Sequence, residues 1–244
     1  MSALLAVEAL GIRFGGISAL DDVTFDVAEG CVTGLIGPNG AGKTTCFNCI
    51  TRIYQPASGR VLFKGEDLLQ CAPYDIARRR IARTFQHVEL FDRMSVLDNV
   101  LVGYHARFRG AGGKGEAKAR SAAGEVLDYL GLNAAVRRPA RDLPLGTRKR
   151  IELARVLMAA PELILLDEPA AGLGAAEVDE LEALIARIRR DLGTTILMVE
   201  HDMRLVMGIC DRIVVLSSGK KIAEGSPAQI QGDRAVVDAY LGVE

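Results

Sequence analysis

Residues 37–44 read GPNGAGKT and match the pattern GxxxxGK[ST] in full, with Gly37, Gly42, Lys43 and Thr44 at the required spacing. No other stretch limits the fold so sharply. Glycines let the backbone wrap so that successive N–H groups point at phosphate oxygens. A following helix presents its positive end to the same anion. Lys43 can reach the β- and γ-phosphates, and the Thr44 hydroxyl can ligate Mg²⁺. This geometry needs a strand before it and a helix after it. The apolar run CVTGLIG supplies the first and KTTCFNCITRIY reads as the second.

A nucleotide site needs a second half, and LILLDE at 163–168 can provide it. A buried apolar strand there would deliver Asp167 to its polar end, where it can hold the Mg²⁺ shell. Glu168 is then placed to polarise an attacking water as general base. Two acids at a strand end say little alone, but with a complete P-loop upstream they point to an ATPase or GTPase. The chain has no Asn-Lys-x-Asp element to read guanine, which favours ATP.

The opening segment alternates with period two: Leu10, Ile12 and Phe14, then Val23, Phe25 and Val27 against Thr24 and Asp26. That pattern predicts half-buried antiparallel strands. IARTFQ at 81–86 reads as another strand. From about Ser95 to Ala160 the pattern is helical, interrupted by RGAGGKGE at 109–116, which reads as a flexible surface loop. After Pro161 a strand–helix–strand rhythm returns. LILLDE is a buried strand, AAEVDELEALIARIRRDLG an amphipathic helix closed by Gly193, and TTILMVEHD a second buried strand. DRIVVLSSGKKIAEG predicts a hairpin turning at Ser217–Gly219.

Composition narrows the partners. A formal net charge of −1 gives no long-range attraction to nucleic acid or acidic lipid, so no nucleic-acid partner is expected. The N-terminal MSALLAVEALGIRF lacks a basic start and carries Glu8 in its apolar part, unlike a signal peptide. No apolar run approaches the length of a membrane span, so any membrane role would be played through a partner. Five scattered cysteines favour a reduced compartment. Cys46 and Cys49 form a CxxC inside the helix after the P-loop, where buried packing outweighs redox or zinc chemistry. His87, His105 and His201 are too dispersed to suggest a metal site by spacing.

With these residues in place, the sequence resembles the ATPase subunits of ATP-binding-cassette (ABC) transporters over essentially its whole length. Phe14 in IRFGG matches the aromatic that stacks on adenine. GPNGAGKTT matches the family's P-loop and assigns Gly37, Pro38, Asn39, Gly40, Ala41, Gly42, Lys43, Thr44 and Thr45 to the nucleotide. Gln86 in RTFQHVELF matches the glutamine that touches Mg²⁺ and attacking water and faces the membrane subunit. AAGLGAAE occupies the place of the loop that crosses to a partner ATPase. His201 in MVEHD matches the switch histidine that contacts the γ-phosphate. Singly, Phe14 reads as core, Gln86 as a solvated strand end and His201 as a satisfied strand-end histidine. Six elements in the right order and spacing carry the resemblance.

The resemblance implies an α/β fold: a P-loop NTPase (ABC ATPase) core with an antiparallel β subdomain and an α-helical subdomain, in a single domain over 1–244. Residues 1–94 and 161–244 would form the RecA-like core and antiparallel β subdomain, and about 95–160 the helical subdomain ending in the signature motif. The implied ligands are ATP and Mg²⁺, the metal held by Thr44, Gln86 and Asp167. The implied partners are transmembrane permease subunits, a second ATPase subunit (the same chain or, more often, a different one) and, indirectly, a periplasmic or extracellular solute-binding protein. The chain would sit peripherally at the cytoplasmic face of the inner or plasma membrane. RTFQHVELFDRMSVLDNVLVGYH, DEPAAGL and the tail GKKIAEGSPAQI resemble the subfamily that imports branched-chain amino acids and related amides. A subfamily exporting lipopolysaccharide shares several of these stretches.

One element departs. The family signature is LSGGQ, and the aligned residues here are Leu143, Pro144, Leu145, Gly146 and Thr147. In the family this motif closes over the γ-phosphate bound by the opposite subunit. Pro144 supplies neither a hydroxyl nor an N–H, although proline is tolerated in the first turn of a helix. Gly146, the N–H of Thr147 and the helix dipole remain. A charge-assisted hydrogen bond is worth about 1.5–3 kcal/mol, so its loss slows turnover by roughly tenfold to a hundredfold if it forms mainly in the transition state. The following Arg148–Arg150 run reads as a solvated helix face. A weakly hydrolysing, nucleotide-binding regulatory module is the second reading: Pro144 favours it, and Glu168 and His201 oppose it.

Overall fold

The N-terminal alternation folds into two long antiparallel strands, β1 (Ala3–Phe14) and β2 (Ile17–Ala28), in a computed structural model that describes residues 3–107 and 113–241. Val23, Phe25 and Val27 are buried while Thr24 and Asp26 are exposed, as a strand with one solvated face requires. The apolar run before the P-loop is β3 (Val32–Ile36), and the helix after it is α1 (Lys43–Ile50). β4 (Ser58–Phe63) and β5 (Glu66–Asp67) follow, then the short β6 (Ile81–Arg83). Three helices come next: α2 (Val96–Arg107), α3 (Gly113–Tyr129) and α4 (Leu145–Met158). The remainder alternates: β7 (Leu163–Asp167), α5 (Ala175–Leu192), β8 (Thr195–Val199), α6 (Met203–Ile209), β9 (Arg212–Ser217), β10 (Lys220–Gly225), α7 (Pro227–Gln231) and α8 (Arg234–Leu241).

The strands form two sheets. A four-stranded antiparallel sheet runs β2-β1-β4-β5, and a six-stranded sheet runs β10-β9-β3-β8-β7-β6. In the second, β9, β3, β8, β7 and β6 are parallel and β10 adds an antiparallel edge. β3, β7 and β8 are buried at every position, the signature of strands covered on both faces. Alternate residues feed different cores. Ile164, Leu166, Ile196 and Met198 pack with α4, α5 and α6, whereas Leu163, Leu165, Leu197 and Val199 pack with α1 and the antiparallel sheet.

Four details differ from the sequence expectation. The helix after the P-loop stops at Ile50 instead of Tyr54, because the Thr51 hydroxyl donates back to the Phe47 carbonyl and Arg52 turns left-handed (φ 64°). The strand expected over 81–86 ends at Arg83. Thr84 N still donates to Leu165 O, but Phe85 N leaves the ladder for the Glu152 side chain. Residues 109–112 of the glycine-rich stretch lie outside the described residues, while 113–116 open α3 rather than a loop. β4 and β5 lie where no strand is expected, and Lys64 and Gly65, both at positive φ, make the two-residue turn that favours right-handed strand twist.

α2 lies against α4 at a glycine. A Cβ on Gly103 would fall 1.9 Å from the Arg155 carbonyl oxygen, backbone that cannot swing aside. Gly103→Ala is therefore expected to cost about 1–3 kcal/mol through forced separation of α2 and α4, read as a lower midpoint in urea, even though alanine favours a helix.

Candidate functional site

Four parallel strands bring their carboxyl ends to one edge of the six-stranded sheet, where open α/β sheets bind ligands. β3 delivers the P-loop, β6 leads to Gln86, β7 ends in Asp167 and Glu168, and β8 leads to His201. The P-loop path is possible only for glycine at two positions. Gly37 (φ 147°) would place a Cβ 2.0 Å from Leu216 O, and Gly42 (φ 102°) would place one 2.5 Å from Ala19 O. Gly40 is left-handed as well, and Ala41 N donates to Pro38 O to close the turn that includes Asn39. α1 then begins without a side-chain cap and without an acidic residue in its first turn. Its leading N–H groups have no intrahelical acceptor. Thr44 and Thr45 lie in that first turn, Thr44 exposed.

Lys43 is buried and folds back over the loop, its Nζ donating to Gly37 O (2.7 Å) and Pro38 O (2.9 Å). Burial lowers its pKa, while the Glu168 and Asp167 carboxylates push it back up. Tyr240, on α8, is raised by burial and lowered by an interaction with the Gly37 backbone, so the C-terminal helix also reaches this loop. Phe14 ends β1 with 45% exposure and meets Tyr54 edge-on, ring centroids 5.1 Å apart. Tyr54 was not anticipated, because nothing local connects it to Phe14.

The structure brings Gln86, Glu168 and His201 together around one carboxylate. Gln86 Nε2 donates to Glu168 Oε2 (2.9 Å), and His201 Nε2 lies 2.9 Å from Glu168 Oε1. Against an ionised carboxylate, that nitrogen carries the proton. Glu168 itself is left-handed (φ 47°), with its N–H donating to Val199 O. A non-glycine residue in this region costs of order 1–3 kcal/mol and needs external support. Part of that support comes from Glu200, a buried residue the sequence reading passed over. Its carboxylate accepts from Ala170 N (2.6 Å), His201 N (2.8 Å) and Asp202 N (3.1 Å), joining the segment after Glu168 to the histidine loop.

Asp167 is paired with another unanticipated residue. Arg83 Nη2 donates to Asp167 Oδ2 (2.6 Å), and Nη1 donates to Asn48 Oδ1 (2.7 Å) and Thr51 Oγ1 (3.1 Å). The guanidinium also lies 5.4 Å from the Phe47 ring centroid and 5.1 Å from that of Phe85. Asp167 Oδ1 is buried with no hydrogen-bond partner, which leaves its lone pairs for a cation. With the Thr44 hydroxyl and the Gln86 amide oxygen it would make an all-oxygen donor set. Such a set fits Mg²⁺, which is commonly held by one or two protein carboxylates, waters and phosphate oxygens.

The signature positions lie elsewhere. Pro144 (φ −57°, ψ 156°) is the N-cap of α4, and Arg148 N donates to its carbonyl to start the helix. Leu143–Thr147 share no hydrogen bond with the P-loop among the described residues. Pro144, Gly146 and Thr147 line a cleft of about 330 Å³ with Leu173 and Glu177. The run Arg148–Arg150 is no solvated face: Arg148 pairs with Asp92 (2.8 Å), Arg150 pairs with Glu180, and Lys149 is buried. Cys46 and Cys49 are both buried in α1. Burial pushes Cys49 up to about 11 and Cys46 higher still.

A family model described as "ABC transporter" matches residues 20–171, and one described as "Branched-chain amino acid ATP-binding cassette transporter" matches residues 220–244. The chain is 43% identical to the high-affinity branched-chain amino acid transport ATP-binding protein LivG of Salmonella typhimurium, over 98% of each chain. It is 42% identical to the corresponding protein BraF of Pseudomonas aeruginosa, again over 98% of each. Among solved structures, the nucleotide-free ATP-binding cassette of an ABC transporter superposes with a TM-score of 0.89 at 30% identity, covering 99% of this chain and 100% of that one.

Arg83→Met is expected to lower stability by about 3–5 kcal/mol, since it strands the Asp167 carboxylate in a buried position. Denaturant unfolding measures the loss, and adding Asp167→Leu recovers most of it.

Proposed function

The chain belongs to the ABC transporter family of ATP-hydrolysing subunits, and from that premise we propose that it powers the import of branched-chain or related amino acids or amides through a membrane permease. The family match and the relatives' names support the amino-acid reading. It acts as a membrane-associated subunit, held by permease subunits at the cytoplasmic face. None of its described helices is long and apolar enough to cross a membrane. Residues 1–94 and 161–244 serve as the nucleotide-binding core and about 95–160 as the helical arm. A solute-binding protein presents the substrate from the far side.

The observation that carries the catalytic reading is the convergence of Gln86 and His201 on Glu168. The P-loop residues Gly37 to Thr45 cradle the phosphates through backbone N–H groups and Lys43, and Phe14 stacks on adenine. Thr44, Gln86 and Asp167 would hold Mg²⁺, which would supply positive charge against the phosphate oxygens. Glu168 accepts the proton of the attacking water. His201 holds one oxygen of that carboxylate and Gln86 donates to the other, whose second lone pair is left to accept from the water.

Leu143–Thr147 act on ATP bound by a second ATPase subunit, most economically a different chain with its own intact signature. The leading N–H groups and dipole of α4 remain for the γ-phosphate, while the serine hydroxyl is missing.

Glu168→Gln is expected to cut ATP turnover of the assembled transporter more than a hundredfold, the scale of a lost general base, with ATP still bound. Pro144→Ser is expected to raise turnover by about tenfold or more. Equal rates with proline and serine in both the isolated chain and the assembly would sink the weakened-signature reading.

A further inference from the structure

The buried face of α4 carries charge where apolar packing would serve. Lys149, Glu152 and Arg155 recur at every third position, which keeps them within one third of the helix circumference. Glu152 is 3% and Lys149 9% exposed. Each of the three ends on backbone belonging to a loop of the nucleotide site. Lys149 Nζ donates to Pro169 O (2.8 Å) and Glu168 O (3.3 Å). Glu152 Oε1 accepts from Phe85 N (3.2 Å), the residue before Gln86. Arg155 Nη1 donates to Glu89 O (2.5 Å) on the other side of Gln86, and its Nη2 lies 3.7 Å from Glu152 Oε1.

Burying charges is costly unless they are paired and hydrogen-bonded, and an apolar stripe would anchor α4 to the sheet without that cost. What the charges add is direction: charge-assisted bonds hold named carbonyl and N–H groups in place. The groups held are those that matter. Glu168 sits in a left-handed conformation that needs support, and the Gln86 loop is gripped on both flanks. Burial lowers Lys149 and raises Glu152, and each is drawn back toward its charged form by the other and by neighbouring charges.

We propose that Lys149, Glu152 and Arg155 are positioning residues through which α4, whose N-terminus serves the partner's nucleotide, sets the backbone of Glu168 and of the Gln86 loop in this chain's own site. A shift of α4 as the partner's ATP is engaged moves Lys149 Nζ against the Glu168 carbonyl, so each site senses the other through one helix. This inference rests on the reading of Glu168 as the base.

The test compares Lys149→Met, Lys149→Arg and Glu168→Gln in the assembled transporter. Methionine keeps the apolar stem and removes the donor. Lys149→Met is expected to lower kcat about tenfold or more, as displacement of a catalytic group by a fraction of an ångström does, with KM for ATP within about twofold. Lys149→Arg, which still donates, should recover most of the rate. Hydrogen exchange at residues 168–171 should quicken in Lys149→Met while the melting midpoint of the chain holds. If the methionine variant does not fold, Lys149→Gln is read in its place. An unchanged kcat overturns the proposal, and so does a loss of ATP binding and turnover together with global melting, which would reduce the stripe to packing. If Glu168→Gln stops turnover and Lys149→Met does not, only the stripe is wrong. If Glu168→Gln turns over normally, the base assignment falls first.

Discussion

The ion pair between Arg83 and Asp167 is the joint on which the site depends. Both side chains are almost wholly buried, 7% and 2% exposed, so neither charge tolerates losing the other. Three elements meet in it. Arg83 comes from the end of β6, Asp167 from the end of β7, and Asn48 and Thr51 from the C-terminal end of α1, the helix that the P-loop opens. A displacement of any one changes the orientation of the carboxylate whose second oxygen is buried without a hydrogen-bond partner. The P-loop glycines are fixed in turn by contact with Leu216 O and Ala19 O, so the phosphate cradle is braced against β9 and the antiparallel sheet. Cradle and metal carboxylate thus hold their relative positions through packed backbone and one buried pair rather than through surface contacts.

Glu168 is one residue further on, and it is held differently. Its backbone is left-handed, its N–H is committed to Val199, and its carbonyl accepts from Lys149. Glu200 reaches the same segment from β8 through Ala170 N. The carboxylate is therefore presented on a short turn gripped by α4 on one side and by the histidine loop on the other. Strain in such a place persists because the surroundings over-determine it, and it makes the carboxylate sensitive to shifts of either neighbour.

Motifs were legible where their chemistry is local. The P-loop, the acidic strand end and the amphipathic α5 declare themselves within a dozen residues, because spacing alone fixes backbone path and face. The parallel strands were legible as apolar runs for the same reason. Arg83, Lys149, Glu200 and Tyr54 were not, since their meaning lies in distant partners: Asp167, Pro169 and Ala170 lie 84, 20 and 30 positions from the first three. Lys149 shows why. In the string Arg-Lys-Arg its neighbours turn to Asp92 and Glu180, and only the helical phase shared with Leu153 and Val156 distinguishes the buried cation from the half-buried ones. The β4–β5 hairpin was a different failure: its Lys-Gly turn signal is present, but the strands are short and largely solvated, so periodicity is faint.

Pro144 shows how a motif can lose its side-chain chemistry and keep its backbone. At the N-cap the residue must be extended, and proline's fixed φ satisfies that at no cost. Its missing N–H is one the helix never uses. α4 starts at Leu145 directly after it, with its first N–H groups lacking intrahelical acceptors, and Pro144, Gly146 and Thr147 line the cleft shared with Leu173 and Glu177. What changes is the charge balance at that end. The Glu177 carboxylate, whose Oε2 accepts from Gly174 N at the start of α5, lies close enough that a Cβ on Gly146 would fall 2.4 Å from Oε1. A carboxylate beside a helix N-terminus stabilises the helix and repels a second anion arriving there. On the proposed reading, the γ-phosphate of a partner's ATP meets that carboxylate at the same helix end. Two features of this chain would then weaken the contact, the absent serine hydroxyl and the carboxylate beside the helix end, and restoring a serine addresses only the first.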